Sequence, residues 1–120
     1  MRAFITAILL FVILIASVTA NALYINSVCS KIDATAESLT NASNKEALIY
    51  ELKSLWKKNV QIFNLSIRVN EIERMNDLIE SLSASYDAQN DAEFKKYCTL
   101  ISELAQELAN YEKLSLRSLF

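Results

Sequence analysis

The sequence predicts an all-α protein in which one N-terminal transmembrane helix continues into an extracytoplasmic antiparallel bundle of three to four helices. Three observations predict this class. The 120 residues include no glycine and no proline, whereas average chains carry roughly 7% and 5% of them. Tight turns draw on glycine for positive φ and on proline for fixed φ, so a many-turned sheet protein could hardly lack both. The chain opens on an apolar run long enough to cross a bilayer. Beyond that run, apolar residues recur at alternating intervals of three and four, the spacing of one helix face.

The first element is the anchor. Between Ala3 and Val18 only Thr6 and Ser17 are polar, and a weakly polar stretch continues to Ile25. The 23 residues from Ala3 to Ile25 meet the roughly 20 that a span requires. We assign 1–25 to the membrane anchor and 26–120 to the bundle. Arg2 and the amino terminus precede the run, while Lys31, Asp33 and Glu37 follow it at a distance. Positive charge stays on the cytoplasmic side, so the expected topology is single-pass in the cell membrane, with the amino terminus cytoplasmic and the domain outside. A cleaved signal peptide is the competing reading, supported by Ala20-Asn21-Ala22, a small-x-small site. The apolar core exceeds the usual 7–15 residues of such peptides, and no turn residue interrupts the helical pattern after Ala22, which favours the anchor. Asn26-Ser27-Val28 before Cys29 does not suit a lipidation site.

Ile25, Val28, Cys29, Ile32, Ala36 and Leu39 form one stripe, so the first helix is expected to leave the bilayer and run to about Thr40. Thr40 to Asn44 is the first corner, and Ser43 with Glu46 matches a capping box. A second helix is expected from Asn44 to Ala88. It carries the stripe Leu48, Leu52, Leu55, Trp56 and the seam Ile62, Leu65, Val69, Ile72, Asn76, Ile79, Ser83, Tyr86. Run straight, it would measure on the order of 65 Å. Antiparallel to the first helix, it would carry Arg68, Glu71, Glu73, Arg74, Asp77 and Glu80 into the bilayer, at about 2.5 kcal/mol or more per charge. A bend or break between Trp56 and Gln61, or divergence from the first helix, is therefore expected, and a turn there would bring Trp56, Lys57 and Lys58 to the membrane interface. Asp87 to Asp91 is the second corner, and Asn90 with Glu93 repeats the capping-box spacing. The last helix bears Phe94, Tyr97, Ile101, Leu104, Leu108 and Tyr111 and ends near Leu116. Leu116, Leu119 and Phe120 share a face at i, i+3 and i+4 and are candidates for docking a partner, balanced against packing within the chain.

Composition narrows the function. Net charge is −2, from 12 basic and 14 acidic side chains, and no basic stripe suits nucleic acid. The absence of histidine removes histidine-based general-base catalysis, its nucleophile pairs and its metal sites. Without glycine, no phosphate-cradling loop can form. The chain is read as not an enzyme, and no cofactor is expected. Glu73, Asp77 and Glu80 share a helix face, which reads as a solvated face before a cation site. Cys29 and Cys98 read as small buried hydrophobes before a disulfide. Asn76 and Ser83 read as residues that set register. Asn41-Ala42-Ser43 and Asn64-Leu65-Ser66 fit the glycosylation pattern, which matters only in a eukaryotic secretory route.

The N-terminal anchor, Leu55-Trp56-Lys57-Lys58, Asn70-Glu71-Ile72-Glu73 and the tail Tyr111 to Phe120 together resemble a bacterial family known only as domain of unknown function 4363. The resemblance covers most of the chain; Ser118-Leu119-Phe120 departs from the Asn-Ile-Leu or Asn-Ile-Phe ending common in that family. It implies an exported, membrane-tethered helical domain, often encoded near another small membrane protein. It carries no activity and no functional residues.

The function expected is that of a non-enzymatic, membrane-anchored envelope protein whose helical domain meets a membrane or envelope protein partner. The alternative is a sensory ligand-binding bundle like the extracytoplasmic domains of chemoreceptors, against which Leu114 to Phe120 is too short for a second span. A secreted soluble bundle, cleaved after Ala22, is a third reading.

Overall fold

The computed structural model describes residues 1–41, 43–64 and 67–119, with side chains described as far as residue 110. The described residues form four helices: α1 (Arg2–Leu39), α2 (Lys45–Phe63), α3 (Val69–Asp87) and α4 (Asp91–Leu119). No strand occurs among the described residues. Neighbours in chain order pack together, and α4 returns onto α1, which is the most extensive pairing; α2 and α3 touch least. The partners run in opposite directions. On α3 and α4, Tyr86 meets Phe94 while Arg74 meets Glu107. Lys53 meets Ser83 and Trp56 meets Asn76 across α2 and α3.

The stripe read on α1 is buried throughout: Ile25, Val28, Cys29, Ile32, Ala36 and Leu39. Those residues join Leu52, Trp56, Phe63, Met75, Leu82, Phe94, Ile101, Leu104 and others in one apolar core. Burial on α1 begins at Ala22, so the packed body starts slightly before the boundary read at residue 25. Among the described residues α1 is the helix long and apolar enough to cross a membrane, and none of its 18-residue apolar window is buried.

Two corners match the sequence reading. Helix α1 stops at Leu39, with Thr40 N–H bonding back to Glu37 O. At the α3–α4 corner, Asn90 N–H bonds Ser85 O and Gln89 N–H bonds Tyr86 O, each at 3.0 Å. These are the two bonds of a Schellman ending, with Gln89 at φ 57° where glycine is usual. Asn90 Oδ1 then accepts from Glu93 N–H at 3.2 Å, so the expected cap of α4 forms on the Asn90 side.

Three expectations are corrected. The box on Ser43 and Glu46 does not form: Asn44 is the residue that caps α2, and it makes no side-chain capping bond. The second helix does break, but between Phe63 and Val69 rather than between Trp56 and Gln61. The interruption shifts the phase of the apolar seam. In α3 the buried residues are Ile72, Met75, Ile79, Leu82 and Ser85, while Val69 and Asn76, drawn on a continuous seam, are exposed.

Candidate membrane-contact site

The membrane-interface triad read as Trp56, Lys57 and Lys58 lies within α2, not at a turn. The Trp56 side chain is in the core at 5% exposure, with its ring centroid 5.1 Å from that of Phe63. Its indole N–H donates to Asn76 Oδ1, which satisfies the one polar atom that burial would otherwise leave unpaired. Trp56 is therefore a core residue and is unavailable to a bilayer. Lys57 and Lys58 are exposed. The stripe of Leu48, Leu52 and Leu55 already holds Trp56, and its continuation to Phe63 puts the indole on the inner face.

What the structure brings together is a different group, at the end of the body where α1 enters its apolar run. Tyr24 hydroxyl donates to Asn59 Oδ1. Asn59 is 2% exposed, and its Nδ2 donates to Leu55 O at 2.7 Å. The pair ties α1 to α2 just where α1 leaves the packed body. Depriving a buried amide of such a partner costs about 1–3 kcal/mol. Further along α1, Asp33 accepts from Ser102 hydroxyl and, at 3.2 Å, from Gln106 Nε2, fixing the register of α1 against α4.

That register locates the end of α4. Antiparallel helices advance in opposite directions at the same rise. Position 119 therefore stands level with roughly residues 16–20 of α1, given the Asp33 bonds to Ser102 and Gln106. The backbone of α4 is helical to Leu119. The docking candidates Leu116, Leu119 and Phe120 lie outside the described residues as side chains, and Phe120 entirely so. Ile15 and Thr19, half-buried, extend the covered stripe of α1 toward its N-terminus from Ala22.

The remaining candidates are dispersed. Glu73, Asp77 and Glu80 are exposed. Arg74 lies 3.8 Å from Glu71 and 3.5 Å from Glu107, pairs that are part-exposed and contribute little. Cys29 and Cys98 are both buried, and no disulfide joins them. Cys98 lines a cavity of about 220 Å³ with Ala36, Glu37 and Thr40, several turns of α1 away from Cys29, too far for a bridge. Burial pushes the Cys98 thiol up to about 11, against a smaller opposing pull from Lys45. Where α2 and α3 separate, a groove of about 240 Å³ is lined by Glu46, Ile49, Tyr50, Lys53, Ser83 and Tyr86, with Asp87.

Comparison of the chain with protein-family models, curated proteins and solved structures finds no match.

Proposed function

We propose that the chain is a non-enzymatic, single-pass membrane protein of the bacterial envelope, anchored by α1 and presenting an extracytoplasmic antiparallel bundle to a membrane or envelope protein partner. The observation that carries this reading is the division of α1. No residue of its apolar window is fully buried, while the continuation of the same helix supplies the core stripe from Ala22 to Leu39. Exposed apolar surface on that scale needs a lipid or protein cover. Arg2 before the run sets the amino terminus inside. The resemblance to domain of unknown function 4363 agrees with this reading and rests on the residues quoted for it.

The test is extraction of native membranes with carbonate and with high salt. The protein is expected in the pellet after both. Recovery in the supernatant, with a mature N-terminus at Leu23, overturns the anchor and supports secretion.

The sensory reading draws on one observation, the groove between α2 and α3, which offers Lys53 and Ser83 beside Tyr50 and Tyr86. It predicts a ligand-dependent rise in thermal stability that the docking reading does not.

A further inference from the structure

The exposed apolar side chains of the helical body are not scattered. Past Val18, the large apolar residues that stay exposed among the described residues are Leu23, Tyr24, Tyr50 and Val69. Tyr50 stands near the start of α2, beside the corner that follows α1. The other three lie toward the opposite end. The Arg74–Glu107 pair, combined with the Asp33 bonds to Ser102 and Gln106, sets Val69 level with roughly residues 23–27 of α1. That is the level of Leu23 and Tyr24.

The length of the apolar run makes the same plane a boundary. From Ala3 to Leu23 a helix rises about 30 Å, the thickness of the hydrocarbon core. A span placed with Ala3 at the inner boundary leaves Leu23 and Tyr24 at the outer one, where tyrosine concentrates. The backbone of the body does not stop at this plane. The end of α2 lies beyond it, since the Tyr24–Asn59 bond sets Phe63 level with roughly residues 18–22 of α1. So does the last part of α4, which descends to about the level of residues 16–20 of α1. Along the chain the connection between α2 and α3 carries no acid before Glu71, and Asn64 and Arg68 on it are exposed.

We infer that this end of the body, marked by Val69 with Leu23 and Tyr24, is set into the outer interfacial layer of the same bilayer that α1 crosses, as a second membrane contact. Phospholipid headgroups and the adjoining acyl boundary are its occupant. Interfacial apolar side chains reach about 5–10 Å into that layer, which matches the descent of α4 below the plane. The inference rests on the proposed span. It also turns the end of α4 toward lipid and leaves the partner-binding surface on the flanks and at the distal end.

Single cysteines placed at Ile8, Tyr50 and Val69 of the full chain carry an environment-sensitive fluorophore. Buried Cys29 and Cys98 stay unlabelled in the folded protein. Labelled protein is reconstituted in phosphatidylcholine–phosphatidylglycerol vesicles containing lipid with a nitroxide near the headgroup end of its acyl chain. The label at Val69→Cys is expected to lose roughly half its emission to the nitroxide lipid, and the label at Tyr50→Cys almost none. A Val69 label as unquenched as the Tyr50 label, with the Ile8→Cys label quenched by nitroxide deep in the acyl chain, overturns the inference and leaves the span standing. Equal quenching at Val69 and Tyr50 overturns it too, because the body then lies along the surface. An Ile8 label that no lipid nitroxide reaches overturns the span itself, and the second contact with it.

Discussion

At the α3–α4 corner Gln89 carries a left-handed backbone at φ 57°. A chain without glycine has to make its Schellman ending from a residue with a Cβ, and the crowding of that Cβ against the carbonyl costs about 1 kcal/mol or more. Gln89→Gly is therefore expected to raise the unfolding free energy by about 1 kcal/mol, read from the midpoint of a denaturant titration; a fall would show that the Gln89 side chain contributes contacts of its own. Cys98 gives a second residue-level outcome. Its ordinary pKa is 9.0, and burial raises it in the folded protein to about 11. The unfolded thiol thus releases its proton first, so this group's stabilisation is whole below pH 9 and is lost as pH climbs toward 11. The loss of stability over that window should be shallower in Cys98→Ala than in the natural chain, and parallel curves would remove Cys98 from the account.

Among the elements, α1 and α4 were legible in the sequence and the pair α2 and α3 was not. The stripe from Ile25 to Leu39 and that from Phe94 to Leu108 emerge as read, because each lies in one unbroken helix whose phase never resets. The break between Phe63 and Val69 has no proline or glycine to announce it, and Ile62, Leu65 and Val69 keep helical spacing through it. Extending one seam across the break put Val69 and Asn76 inside and overlooked Met75 and Leu82. The same error displaced the candidate site. With the break placed at Trp56, the indole looked interfacial, whereas its spacing with Leu52 and Phe63 makes it core. Ile72, like Ile79, is a member of the misdrawn seam that does lie in the core. Ile72→Asp should lower stability by about 3 kcal/mol or more, since it buries an unpaired carboxylate, while the exposed neighbour variant Glu73→Ala should stay within about 0.5 kcal/mol. Equal unfolding temperatures for the two would place Ile72 outside the core.

For the molecule as a whole, the absence of glycine and proline was the informative fact, because it left long helices as the means of building 120 residues. What it could not convey is how the four helices close. Polar bonds between residues far apart in sequence, Tyr24 with Asn59 and Asp33 with Ser102, set the levels at which they meet, and no local pattern foretells such pairs. One feature of the assembled chain reaches further. Helix α1 runs from Arg2 to Leu39 without interruption, and it contains neither of the residues that usually kink a helix. With its first half in a bilayer as proposed, it acts as a stiff spar whose lower end is gripped by lipid and whose upper end is bolted into the protein. A thinner membrane leans such a spar. The 16 residues of α1 from Tyr24 to Leu39 above the surface make a lever of about 24 Å, so each ten degrees of lean carries the far corner sideways by about 4 Å. Bilayer thickness is thereby written into the direction in which the body points.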